Sequence, residues 1–352
     1  MASDNAGAMR LTCSPTQLTG LLARYIPARR NVLITGRPGI GKSEIVEAAA
    51  ADAGTDLIIS HAVTSDATDY KGLPWMFEGE AQWLPYGDLK RMMTADRPLT
   101  VFFDDVGQAA PSVQAALMQV TQARRVNDHL ISDHVSFVLA TNRKEDAAAV
   151  TGMIEPLKSR TTIFELEPSL DDWSRWALDA GLPVSIIGYA RTAPQCILDW
   201  KPTRDITNTP CPRTMAAAGK TLAMGLPDDL LLRALAGEIG TGHAAQLMAY
   251  HKSIDGLPSL DSILTNPRTA AVPSRSDQLF MVIGGLARRC TANNIPAVLL
   301  YGDRLPPEYQ ASLIVEIRHA NAAARKKDST IADVSNTRAM IDWEVAHHSL
   351  LA

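Results

Sequence analysis

Eight consecutive residues constrain this chain more than any others. Gly36-Arg37-Pro38-Gly39-Ile40-Gly41-Lys42-Ser43 fit the pattern G-x-x-x-x-G-K-[ST]. Glycines in such a loop let backbone N–H groups turn inward around phosphate oxygens. A helix starting at the loop adds partial positive charge. Lys42 is placed to reach the outer phosphates of a bound nucleotide, and the Ser43 hydroxyl to ligate Mg²⁺. The pattern alone turns up by chance in about one chain in a hundred of this length. The setting argues against chance and against a bland glycine-rich turn. The apolar run Asn31-Val32-Leu33-Ile34-Thr35 leads straight into Gly36. From Ser43 to about Ala53 the chain is rich in Ala, Glu, Ile and Val and reads as helix, with Gly54 as its stop.

The same reading extends along the first half. Ser14-Pro15 opens a helix with Leu18, Leu21, Leu22 and Tyr25 at helical spacing. Further strands are predicted at Leu57–Ile59, Leu99–Phe103, Val135–Ala140 and Thr161–Phe164, and a helix with Pro111 near its start carries Val113, Ala116, Leu117 and Val120 on one face. Strands alternating with helices predict a parallel sheet covered on both faces. After about Pro168 the pattern turns helical, over 171–182 and 214–264. Residues 192–213 carry four prolines and read as a long ordered loop. Pro267 and Pro273 mark a further boundary, and 277–352 is helical again. The expected division is an α/β nucleotide-binding core over 1–168, a helical lid over 169–270 and a helical C-terminal region over 271–352.

Two strand ends complete the chemistry. Phe102-Phe103-Asp104-Asp105 is an apolar strand ending in acids about sixty residues after the loop. There Asp104 would hold Mg²⁺ and Asp105 would orient the attacking water. Ala140-Thr141-Asn142-Arg143 is a strand ending in a polar residue, and Asn142 can hydrogen-bond the attacking water or the γ-phosphate.

On these motifs the chain resembles the AAA+ superfamily and, within it, the MoxR-like group of the helix-2-insert branch. Asp104 to Met118 is similar to that group's acidic strand and following helix, and Asp66 to Pro74 to the segment opening its insertion, here about residues 64–90. The resemblance covers about residues 28–220. It implies a three-layer P-loop core that binds ATP or ADP with Mg²⁺ between subunits of a ring, expected to be hexameric. It assigns Gly36–Ser43 to the nucleotide, Ser43 and Asp104 to the metal, Asn142 to sensing the γ-phosphate, and Arg160 to an arginine finger serving the neighbouring subunit. Such a cation stabilises charge on the transferred phosphoryl group. Lys158 is the alternative finger, though a planar guanidinium suits phosphate better. For Arg213 two readings stand open: a second sensor from the lid, or a helix-start arginine facing solvent. The implied work is remodelling or activating a protein partner, and a protein with a von Willebrand factor A domain is the partner the resemblance suggests. The family usually has Glu where this chain has Asp105, one methylene shorter, so slow hydrolysis is expected.

Glu78-Gly79-Glu80 between apolar runs predicts a hairpin in the insertion, with Trp83 expected to pack on its own domain. A second hairpin is expected over 126–134, after Arg124-Arg125. Other classes are narrowed by composition. The formal charge of −4 gives no global field for nucleic acid, which leaves a nucleic-acid motor as the weaker rival to a protein remodeller. A non-hydrolysing ATP switch is the other rival, supported by Asp105. No signal-like stretch opens the chain and no run of 18 apolar residues occurs. Cys13, Cys196, Cys211 and Cys290 lack zinc spacing, so reduced thiols and a cytoplasmic location are expected. Glu344 and His347 stand alone at E-x-x-H spacing and make no metal site.

Overall fold

The computed structural model describes residues 12–143, 146, 152–201, 203, 205–253 and 258–348. Most of the N-terminal stretch read for a signal, and Pro202, lie outside the described residues. The chain forms two compact units, Met1–Asp172 and Trp173–Ala352.

The first unit is built on a parallel sheet. Its strands are β1 (Thr12–Cys13), β2 (Val32–Thr35), β3 (Asp56–His61), β6 (Leu99–Asp104), β9 (Val135–Thr141) and β10 (Thr162–Leu166), in the order β1-β10-β2-β9-β6-β3. Two antiparallel hairpins sit outside it: β4 (Leu73–Phe77) with β5 (Glu80–Leu84), and β7 (Arg125–Val126) with β8 (His129–Leu130). The helices are α1 (Pro15–Tyr25), α2 (Lys42–Asp52), α3 (Ala67–Lys71), α4 (Gly87–Thr94), α5 (Pro111–Met118) and α6 (Glu155–Lys158). The short edge strand β1 escaped the sequence pattern because two residues carry no periodicity. Ser14 caps α1 as expected and pairs reciprocally with Gln17.

The runs in β2, β6 and β9 are mostly apolar and almost wholly buried because both faces of the sheet are covered. Alternate side chains feed two separate cores. Leu33, Val101, Phe103, Phe137 and Leu139 pack toward Leu89, Met92, Val113 and Leu117 of α4 and α5. Val32, Ile34, Phe102, Val138 and Ala140 pack toward Leu18, Leu22, Ile45 and Val46 of α1 and α2. Phe102 and Phe103 are fully buried, each contributing roughly 1.5–3 kcal/mol by leaving water.

The expected insertion is α3 followed by the β4–β5 hairpin and the approach to α4. Its turn residues Glu78 and Gly79 both have positive φ, 51° and 85°, the backbone that matches strand twist in a two-residue hairpin. Trp83 is 40% exposed, so the expected packing is only partial. α5 runs into a π-helical turn, Gln119–Ala123, ending at Arg124 with φ 48°. Arg124 Nη2 then donates to the carbonyls of Ser132 and Val135, closing the loop that holds β7 and β8.

The second unit begins inside α7 (Leu170–Asp179) and is helical: α8 (Val184–Thr192), α9 (Gln195–Leu198), α10 (Pro212–Leu222), α11 (Asp228–Ile239), α12 (Thr241–Ser253), α13 (Leu260–Thr265), α14 (Ser276–Arg289), α15 (Ile295–Gly302), α16 (Pro307–Lys327) and α17 (Arg338–Ala346). Among the described residues, the proline-rich segment 192–213 contains the short helix α9 between the end of α8 and the start of α10, which the loop reading missed. α8 packs against α12 and α14, and α14 against α16. The core joins Val282, Ile283 and Leu286 with Ile295, Leu313, Ile317, Met340 and Trp343. No described helix is long and apolar enough to cross a membrane.

Candidate functional site

All strands of the sheet run the same way, so the ends of β2, β9 and β6 lie side by side at one edge. Ligands of open α/β sheets bind outside that edge. β9 lies between β2 and β6, and it carries Asn142 to a point between the phosphate loop and the acids.

The loop has the backbone a phosphate cradle needs. Gly39 and Gly41 have φ of 75° and 89°, which an L side chain adopts only under strain. Gly36 is required for a different reason. A Cβ there would stand 2.8 Å from the Leu166 carbonyl oxygen of β10. α2 starts at Lys42, just after Gly41, so its free N–H groups and dipole face the loop. Lys42 is only 8% exposed. Its ammonium donates to the carbonyls of Gly36 and Arg37, each at 3.0 Å, and to Asn142 Oδ1 at 2.6 Å. The flanking Arg37 guanidinium lies 3.8 Å from Glu167.

Ser43 Oγ donates to Asp104 Oδ2 at 3.0 Å, and the other Asp104 oxygen accepts from the Asp105 N–H at 2.9 Å. The expected metal pair is thus brought together from positions 61 residues apart. A hydroxyl and a carboxylate are hard oxygen ligands. They are the ligand type that Mg²⁺ takes.

Asp105 sits in the left-handed region, φ 54° and ψ 34°. Asp tolerates that backbone better than most residues through its short polar side chain, which gives a local reason for Asp in place of Glu. Its Oδ1 accepts from Asn142 Nδ2 at 3.1 Å and from Gln108 Nε2 at 2.7 Å. The Asn142 amide therefore bridges cation and anion: oxygen to Lys42, nitrogen to Asp105. That orientation is fixed by the charges on either side.

Sequence reasoning missed a neighbouring ion cluster. Arg143, 11% exposed, is bidentate to Asp146 at 2.9 and 3.2 Å and donates to Glu165 at 3.1 Å and Glu167 at 2.7 Å. Burial opposes the charge on its guanidinium, but the surrounding carboxylates outweigh that and hold its pKa above the usual arginine range. The cluster fixes the chain just after Asn142 to the end of β10. Gln108 was missed too. Its only sequence signal is a position three residues after Asp105, which one 3₁₀ turn brings back over the carboxylate.

One expected site residue of the first unit is not in this group. Arg160 is exposed, precedes β10 and donates to the Pro156 carbonyl at 3.3 Å. Thr162 pairs with Val32 at the start of β2, so Arg160 stands at the sheet edge opposite the phosphate loop. Lys158 is engaged by Glu155 at 2.5 Å. Arg213 is exposed near the start of α10 in the second unit.

A phosphate-binding loop on β2, with the acidic strand one strand removed from it, defines a P-loop nucleotide-binding fold of the AAA type. Residues 31–161 match the family model of the AAA domain, dynein-related subfamily, and this segment includes Gly36–Ser43, Asp104, Asp105 and Asn142. Proteins with such a domain bind and hydrolyse nucleoside triphosphates as a class. No curated protein matches the chain. Among solved structures, a point mutant of RuvB from Thermotoga maritima is 18% identical, with 77% of this chain and 80% of that chain covered and a TM-score of 0.39. NtrX from Brucella abortus in complex with ADP is 17% identical, with 95% and 67% covered and a TM-score of 0.40. Overlays that loose carry nothing about this chain's substrate or assembly.

Proposed function

We propose that this chain is a Mg²⁺-dependent ATPase of the MoxR-like group that works in the cytoplasm as a hexameric ring and remodels or activates a protein partner, with a von Willebrand factor A domain protein as that partner. The observation carrying the hydrolytic part is the convergence of Lys42, Asn142 and Asp105 beside the Ser43–Asp104 pair. When bound, Mg²⁺ offsets phosphate charge. Ser43 and Asp104 would hold it, the loop N–H groups and Lys42 would bind the phosphates, and Asn142 holds Lys42 and Asp105 in register. Asp105 accepts a proton from water.

The ring reading draws support from Arg160. At the edge opposite its own loop it cannot serve its own nucleotide, and it is free to serve a neighbour's. Residues 169–270 act as the lid, with Arg213 as second sensor, and 271–352 as a further helical region. The partner reading draws support from the insertion. Trp75 is 65% exposed on a hairpin held to the second hairpin by His129 Nε2 to the Trp83 carbonyl, 2.9 Å, while Asn127 Nδ2 of the second hairpin donates to the Lys71 carbonyl at the end of α3, 3.0 Å. Exposed apolar clusters of this kind mark contact surfaces.

The test is complementation. Asp105→Asn removes the base and Arg160→Ala the finger, so each variant alone should release no phosphate. Mixed in equal parts in a head-to-tail ring, about a quarter of the interfaces join an intact base to an intact finger, and activity should return. Two variants that stay silent when mixed, beside an active wild type, would sink the ring reading. The Asp105 carboxylate, short and held by two amides, favours one second reading, an assembly switch. ATP-driven assembly without phosphate release would establish it. Steeply salt-dependent DNA binding would instead indicate a nucleic-acid motor.

A further inference from the structure

Among the described residues, two hydrogen-bond acceptors beside the candidate nucleotide site have no donor. Asn142 Nδ2 and Gln108 Nε2 both donate to the same oxygen of Asp105, Oδ1. Among the described residues nothing donates to Asp105 Oδ2. The Gln108 amide oxygen, Oε1, is buried and likewise has no partner. The amide cannot simply be turned over to cure this, because Oε1 would then face a carboxylate oxygen at 2.7 Å, the distance now held by Nε2. Asp105 is only partly buried, but a buried acceptor such as Gln108 Oε1 is rarely left without a donor, and an exception calls for a reason.

We propose that Gln108 positions the attacking water together with Asp105, a role that rests on the ATPase reading above. A water molecule has two O–H bonds, and the pair offers two free acceptors. With both hydrogens held, its lone pair is directed away from Asp105 and Gln108. In some nucleotide hydrolases a glutamine amide is known to orient the attacking water. Here the arrangement also offsets the missing methylene of Asp105: Gln108 Nε2 pins one carboxylate oxygen and Gln108 Oε1 supplies the contact that the shorter acid gives up. In the step itself the water oxygen bonds to the γ-phosphorus. The bond from that phosphorus to the β–γ bridging oxygen breaks, its electron pair staying on ADP. One water proton passes to Asp105 and then to solvent, and the other remains on the released phosphate.

The full-length chain with Gln108→Ala and Gln108→Glu tests this, using steady-state phosphate release, MgADP affinity and thermal unfolding. Gln108→Ala should lower kcat on the order of tenfold or more while MgADP affinity stays within about twofold of wild type and the melting temperature does not fall. Gln108→Glu keeps the size but sets a carboxylate against Asp105. It removes the amide donor to Asp105 Oδ1, so kcat should fall as in Gln108→Ala while MgADP affinity is kept. A purely structural glutamine would lower affinity and melting temperature together with kcat. Wild-type kcat in Gln108→Ala or Gln108→Glu, or an equal loss of affinity, overturns the proposal alone. A wild-type chain that binds MgADP but never releases phosphate from ATP overturns both it and the hydrolytic reading.

Discussion

Gly36→Ala is expected to damage both the stability of the first unit and its nucleotide site, for a reason visible only in three dimensions. Glu165 of β10 pairs with Thr35 of β2, so the next residues, Leu166 and Gly36, run alongside each other. An added Cβ would stand 2.7 Å from Ile40 Cδ1 and 2.8 Å from the Leu166 carbonyl oxygen. The isoleucine methyl is the end of a flexible side chain and can swing aside. The carbonyl belongs to a paired strand and cannot, so the loop must lift. Overpacking of this kind costs about 1–3 kcal/mol. At roughly 2–4 °C per kcal/mol for a unit of this size, the melting temperature should fall by about 2–12 °C. The displaced Gly36 carbonyl is also an acceptor for Lys42, so MgADP should stabilise the variant less than the wild type, for which saturation at a hundred times Kd is worth ~2.7 kcal/mol. Thermal unfolding with and without MgADP measures both effects. Gly20→Ala serves as the opposite-sign control: it lies inside α1 with nothing within 4 Å of the new Cβ, and should stabilise by about 0.5–1 kcal/mol. A Gly36→Ala protein with wild-type melting and a wild-type MgADP shift would refute the close contact between loop and β10.

Three further outcomes are expected. Asp104→Asn removes the charged partner of Ser43, so the gain in ADP affinity on adding Mg²⁺ should disappear while the affinity in EDTA is kept; titrations in the two buffers decide it. Arg143→Gln leaves three carboxylates facing one another in a nearly buried cluster. Urea unfolding should show a loss of about 3–5 kcal/mol, partly recovered by adding Glu165→Gln, and a loss below 1 kcal/mol would mean the cluster is hydrated. Burial pushes the thiol of Cys196 up to about 11, so at pH 8 it is protonated as well as inaccessible. Iodoacetamide should leave it unlabelled in the folded protein and modify it once the chain is unfolded in urea, as peptide mass analysis would show.

Much of the first unit is legible in the sequence because its signals are local. The β2–loop–α2 passage needs only an apolar run, three glycines and a helix-forming stretch, all within some twenty residues. The long apolar runs of β6 and β9 announce burial on both faces. The second unit is legible only as helices. Its pairings, such as α8 on α14, depend on contacts between residues about a hundred positions apart, and a helical stripe does not name its partner. Gln108 and Arg143 show the same limit inside the site. Both residue types are common on surfaces, and nothing local says that Gln108 meets a carboxylate or that Glu165 and Glu167 close around Arg143. The exposure of Trp75 is equally silent, since an aromatic in a hairpin reads alike whether packed or bare.

The sequence by itself determined that this chain binds phosphate, because the strain-free backbone of the loop and the lysine that follows it are properties of eight contiguous residues. Which groups gather around that phosphate was decided by the fold. Parallel pairing puts every strand's C-terminal end on one edge, and the order β2-β9-β6 sets Asn142 between Lys42 and Asp105. The same pairing carries Arg160 to the opposite edge. Short-range stereochemistry fixes a loop, but only the packing of strands against two layers of helices brings together side chains separated by a hundred residues.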